Sequence, residues 1–165
     1  MAAGKFTWFT SGLKYMMEGR INLAGGAANG SAATPLYAIP MHDNYSPSTA
    51  SHSALAQIVA FQATASETVV NAIALASVAV TQSGVDTVKL DADNISGFSS
   101  DGSTIGSFKW LVIYAQSASG GGGQDNLLVG FIDMDTTTAS SSAGNSTQVN
   151  ITWSADGIGK LRGNP

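Results

Sequence analysis

The sequence predicts an all-β single domain, an antiparallel β-sandwich of jelly-roll-like type with one short N-terminal helix. Three observations lead there. Short apolar runs recur along the 165 residues, separated by Gly, Ser, Asn and Asp, at strand and not helix period. Charged residues are scarce, 11% against 44% hydrophobic, which suits a packed core better than a disordered chain. Neither β-helix-β alternation nor a tandem repeat is present, so a parallel nucleotide-binding sheet and a solenoid are both disfavoured. The length suits one domain. The reading divides it into an N-terminal arm or edge strand over 1–9 and the β domain over 10–165.

The helix is expected at about 11–23. Leu13, Met16, Met17 and Ile21 recur at helical spacing, with Lys14, Glu18 and Arg20 on the other side. Thr10 or Ser11 offers a side-chain oxygen for the N-cap, and Gly25 and Gly26 offer a stop. After a small-residue linker, "LYAIPM" reads as a strand that Pro40 keeps near an edge or an end. "HDNYSPSTASHSAL" reads as a surface excursion. "QIVAFQAT" reads as a strand with Val59, Phe61 and Ala63 on one face.

The rest reads as strands, roughly eight or nine in all. "VAVTQSGVDTVKLDAD" is a hairpin, with Val80 on one arm, Val88 and Leu90 on the other, and a Ser-Gly turn between them. "FKWLVIYAQ" and "LLVGFIDM" are apolar on both faces, so both strands are expected in the middle of a sheet that is covered on each side. "TQVNITWSADGIGKL" alternates, with Val149, Ile151 and Trp153 inward, and then turns into a short last strand.

Several function classes lose ground on composition. The absence of cysteine removes disulfides, thiolate metal sites and cysteine nucleophiles. A net charge of −4 with only seven scattered Lys and Arg is a poor match to nucleic acid, which needs clustered cations. No run approaches the length of a membrane span, and "MAAGKFTWFT" lacks the apolar core of a secretory signal. The expectation is a soluble, non-secreted product with neither nucleic acid nor membrane as partner.

Chemical constellations are thin. The glycine quartet Gly120–Gly123 leads into a strand, where a phosphate loop would lead into a helix with a Lys. His42 and His52 lie ten residues apart in a turn-rich segment with no third ligand at zinc spacing, and no G-x-S-x-G elbow marks a serine nucleophile. "DADN", with Asp91, Asp93 and Asn94, offers hard oxygen ligands of the kind Ca²⁺ takes, but the EF-hand positions for Gly and Glu are not filled. Turn capping by Asp accounts for this run and for "DMD" at Asp133 and Asp135. The reading is of no enzyme, no cofactor and no metal. One segment is singled out for a partner: Lys5, Phe6, Trp8 and Phe9 set aromatic anchors beside a small-residue end. The competing reading is an ordinary edge strand over the core.

Taken in order, "FTSGLKYMMEGRINL", "LYAIPMHDNYSP", "VKLDADNISGFSS", "KWLVIYAQ" with "LLVGFIDM", and "ITWSADGIGKL" resemble successive segments of small virion proteins of tailed bacteriophages, of the capsid-decoration or head-associated type. The likeness spans nearly the whole chain. The departures are longer connections at 117–125 and 136–146. What the resemblance implies is a decoration or cement protein on the outer capsid surface, made in the host bacterial cytoplasm. It implies the major capsid protein as partner, and assembly as a homotrimer at local threefold axes. The alternative is a tail, neck or fibre component, with glycan binding through Trp8, Trp110 and Trp153 as one form of it.

Overall fold

A computed structural model of the chain describes residues 5–23, 33–65, 68–69, 72–99, 108–116, 126–134, 148–153, 155 and 157–162. In chain order its elements are β1 (Phe6–Trp8), α1 (Thr10–Met17), β2 (Leu36–Met41), two 3₁₀ turns (Leu55–Gln57 and Val59–Phe61), β3 (Thr64–Ala65), β4 (Thr68–Val69), β5 (Ile73–Ala74), β6 (Ala79–Gly84), β7 (Thr87–Asp91), β8 (Ile95–Ser99), β9 (Trp110–Ala115), β10 (Leu127–Asp133), β11 (Gln148–Ile151) and β12 (Gly159–Arg162). The protein is all-β with one short helix, and every strand pair among the described residues is antiparallel.

A five-stranded sheet in the order β1-β10-β9-β2-β5 forms the centre. Smaller sheets order as β12-β7-β6, β11-β8 and β3-β4. The two runs that are apolar on both faces are β9 and β10, adjacent inside the large sheet as expected. Pro40 sits in β2 beyond the two residues that pair with β5, so its missing N–H removes no β5 bond.

Both faces of the large sheet are covered. On one, Leu36, Ala38, Leu111, Ile113, Ala115, Leu127 and Val129 pack against residues from the smaller sheets and their flanks: Leu90, Ile95, Ile151, Trp153 and Ile158. On the other, Ile39, Met41, Val112, Tyr114, Leu128 and Phe131 pack against Phe9, Tyr45 and Ile58. In β10 the register shifts between Leu128 and Gly130. Because side chains alternate, that one extra residue exchanges the faces, so that Val129 and Ile132 share the first cluster and Leu128 and Phe131 the second.

Several sequence expectations need correction. The helix ends at Met17, well short of residue 23, because Gly19 takes a left-handed φ of 71°. Gly19 N–H then donates to Met16 O and Arg20 N–H to Tyr15 O, closing a Schellman motif. The N-cap residue is Phe9, and Ser11 Oγ donates instead to His52 O at 3.0 Å. Met17 is 89% exposed, because the helix lays Gly12, Tyr15 and Met16 toward the sheet and Met17 falls on the far side of that face. "QIVAFQAT" is no strand across 57–61: it forms the 3₁₀ turns, with Ile58 buried and Val59 and Phe61 turned outward. The hairpin of β6 and β7 exists, but its turn residues are Val85 and Asp86 and not Ser83–Gly84. Ile151 and Trp153 point inward as expected. Phe108 precedes β9 and joins the first cluster, away from Val112 and Tyr114.

Candidate functional site

The N-terminal segment is the site the sequence nominates, and its geometry divides the four residues. β1 pairs antiparallel with β10, Phe6 opposite Ile132 and Trp8 opposite Gly130, so the segment is an edge strand. The Phe6 ring lies in space left by two glycines. A Cβ at Gly130 would stand 2.1 Å from Phe6 Cζ, and one at Gly159 would stand 2.4 Å from Phe6 Cδ1. Phe9 is fully buried in the second core cluster, against Phe131 at 5.2 Å between centroids. Phe6 and Phe9 are therefore used inside the molecule and are not available as anchors for a partner. Lys5 is exposed and Trp8 half-buried. The Trp8 indole N–H donates to Lys160 O at 3.2 Å, and its ring meets Phe6 edge-on at 4.8 Å. The segment ties the five-stranded sheet to β12. The glycines at 130 and 159 were the available signal, since an aromatic needs such gaps to lie flat on a sheet.

The helix behind it depends on the same device. A Cβ at Gly12 would come 2.6 Å from Val129 O, so α1 rests on the β10 backbone itself. Its outer surface carries the Lys14–Glu18 ion pair at 2.8 Å and Arg20 over the Tyr15 ring at 4.6 Å.

The histidines are separately engaged. His42 Nδ1 lies 2.8 Å from Asp43 Oδ1, and this hydrogen bond holds the exposed carboxyl below its ordinary value. His52 stacks on Tyr45 at 5.6 Å. Ser48 N–H donates to His52 Nδ1 at 3.3 Å, which makes that nitrogen an acceptor, so the Tyr45 hydroxyl at 3.1 Å donates to it as well. The acid thus sits on one histidine and the hydrogen-bonding hydroxyl on the other, which assembles no relay. Burial pushes the Tyr45 phenol far above the ordinary tyrosine value.

The acidic run is bonded internally. Asp91 pairs with Lys89 at 2.7 Å, and Asp93 accepts from Ser77 Oγ at 2.7 Å. Trp153 donates its indole N–H to Asp93 O and its backbone N–H to Asn94 Oδ1, each at 2.9 Å. The run therefore fixes Trp153 between β8 and β11. Among the described residues no group of three or more His, Asp or Glu stands close enough to hold a metal ion. The glycine quartet, Asp101 and Asp135 lie outside the described residues. Among the described residues no helix is long and apolar enough to cross a membrane.

Two surface features went unread in the sequence. Val85, Val88 and Leu161 are 92%, 42% and 36% exposed, and Leu161 lies directly opposite Val88 across β12 and β7. Leu90, two residues on, is buried. The β6–β7–β12 sheet therefore carries its apolar face past the edge of the core. Val59 and Phe61, 48% and 36% exposed, form a second patch beside the His42–Asp43 pair, with His42 N–H bonded to Phe61 O. Alternation marked the Val88–Leu90 face correctly but carried no information on where the core beneath it stops.

No protein-family model, curated protein or solved structure matches this chain.

Proposed function

We propose that this protein is a non-catalytic virion protein of a tailed bacteriophage, a decoration protein that adheres to the outer capsid surface and bridges neighbouring copies of the major capsid protein. One observation carries the reading: the ordered likeness of successive segments, from "FTSGLKYMMEGRINL" to "ITWSADGIGKL", to small head-associated virion proteins. A small all-β module with little charge suits the task, because adhesion to a lattice needs area and repetition. Each contact is weak by itself and gains from avidity when many copies sit on one shell.

The contact surface follows from what the core leaves over. With Phe6 and Phe9 buried, the arm offers Lys5 and the open part of Trp8, while Val59–Phe61 and Val85–Val88–Leu161 offer apolar area. Contiguous exposed apolar area rimmed by polar residues is what contact sites offer. The test is copy number: quantitative mass spectrometry of purified particles, scaled to the major capsid protein. A ratio near one per capsid subunit supports the reading. A handful of copies per particle moves the protein to the tail, neck or a fibre, and absence from particles ends the virion reading.

A further inference from the structure

β6 is the longest strand at the end of any sheet among the described residues. The other ends are shorter: β8 has five residues, β11 and β12 four each. β5 pairs over two residues, and β1 has Phe6 buried and Trp8 bonded across to β12. Among the described residues β6 pairs with β7 alone, and Thr81, Gln82, Ser83 and Gly84 are exposed. It also lacks the usual devices that keep open edges apart. "AVTQSG" has no charge and no proline, and its one irregularity falls at the far end, between Gln82 and Gly84.

We propose that this edge pairs antiparallel with β6 of a second copy about a twofold axis, joining two three-stranded sheets into one. Self-pairing sets a demand that pairing with a foreign strand does not: residues near the axis meet their own copies, so a charge there would face itself. β6 meets it along its whole length. The nearest charges are Asp86 in the turn and, on β7, Lys89 and Asp91, which pair with each other at 2.7 Å. Across the axis the two Lys89 residues would stand three strand spacings apart, about 14 Å. That exceeds the Debye length of about 8 Å at physiological salt, so their repulsion is largely screened. On the other face Val80 lies opposite Leu90 and the uncharged Gln82 opposite Val88, so that side too brings no charge to the axis.

A single short strand pair buries less than the ~1,200 Å² of a stable complex. The association is therefore weak in dilute solution, and on a shell it would gain from repetition. A twofold pair departs from the threefold assembly implied by the resemblance. It concerns the isolated chain, so it can fail while the decoration reading stands, and the reverse.

The chain contains no cysteine, so single cysteines report cleanly. Thr81→Cys, Gln82→Cys and Ser83→Cys would be oxidised mildly at about 0.1 mM, beside Met17→Cys, whose 89% exposed site on α1 measures random collision. The expected result is disulfide-linked dimer at one β6 position at least tenfold faster than at residue 17, falling off at its neighbours. Adding Thr81→Lys to the fastest variant, or Ser83→Lys where residue 81 carries the cysteine, should return its rate to the control. Equal rates at all four positions would overturn the proposal. So would a trimer by sedimentation in which the β6 cysteines stay reduced.

Discussion

The two faces of the five-stranded sheet are buried to the same degree by different means. One is covered by regular elements: strands β7, β8 and β11 supply Leu90, Ile95 and Ile151, and each strand is held by ladder hydrogen bonds to a neighbour in its own sheet. The other is covered over 42–62 by two 3₁₀ turns and loop, which must be tied down bond by bond. His42 N–H donates to Phe61 O, Leu55 N–H to Asn126 O, Leu128 N–H to Ser53 O and Thr10 N–H to Thr49 O. Gln57 Oε1 accepts from Ser53 N–H at 2.7 Å and Ala54 N–H at 3.0 Å. An irregular cover can seal a core, but it does so through separate local attachments, and such segments open independently of the global unfolding event.

Truncating one buried isoleucine on each face tests that difference and carries the largest expected effect. Ile113 of β9 and Ile58 of the cover are both fully buried. Each change to alanine should cost about 2–5 kcal/mol by the cavity it leaves. Ile113→Ala should lower the chemical-denaturation midpoint and speed amide exchange throughout the central strands. Ile58→Ala should speed exchange chiefly within 42–62 while β9 amides stay protected. Equal loss of protection in β9 from both variants would show that the cover and the sheet unfold as one unit.

A second comparison lies between two glycines. Gly130 is needed for space and Gly19 for backbone shape. Gly130→Ala forces a methyl onto the Phe6 ring and should cost about 1–3 kcal/mol as overpacking. Gly19 has open space around it and a φ of 71°, so Gly19→Ala should cost about 1–2 kcal/mol through the left-handed conformation alone. Pairing each with Phe6→Ala separates the causes. The loss at residue 130 should shrink by about 1 kcal/mol or more in that background, while the loss at residue 19 should simply add. Additivity at residue 130 would remove Phe6 as the reason for the glycine.

These same residues mark how far the sequence could be read. β9 and β10 were legible because a run apolar on both sides has one structural meaning. The cover was not, because Val59, Phe61 and Ala63 alternate as a strand would. What decides against a strand is the Gln57 carboxamide closing the chain back on Ser53, a contact with no periodic signature. The N-terminal aromatics stayed open between a partner and the core for a related reason: where Phe6 points depends on gaps at Gly130 and Gly159, far away in sequence. The helix end was legible in principle, since Gly19 interrupts the apolar stripe between Met17 and Ile21, but the later pair at 25 and 26 was the stronger composition signal. The β6 edge is a third kind of case, because its openness among the described residues depends on what fails to pair with it.

The smallest effect expected is also specific to one face. Tyr45 and Tyr114 both lie in the cluster beneath the irregular cover, and burial raises both phenols, with Tyr37 beside Tyr114 adding to it. Below pH about 10 the phenols are protonated in both folded and unfolded chains, so they add no pH dependence there. Above it the unfolded chain ionises first while the folded chain keeps its protons. Stability therefore falls as pH rises toward the folded values, by no more than about 1.4 kcal/mol per pH unit for each group. Tyr45→Phe removes one of the two. At neutral pH it should cost about 0.5–1.5 kcal/mol, since the hydroxyl no longer donates to His52. At pH 11 the deficit should narrow or reverse, because phenylalanine has no proton to lose. Urea midpoints of the two proteins at pH 7 and pH 11 would decide it. An equal gap at both values would mean that the cover already opens to admit hydroxide before the molecule unfolds, and would place Tyr45 in the locally mobile part of the fold.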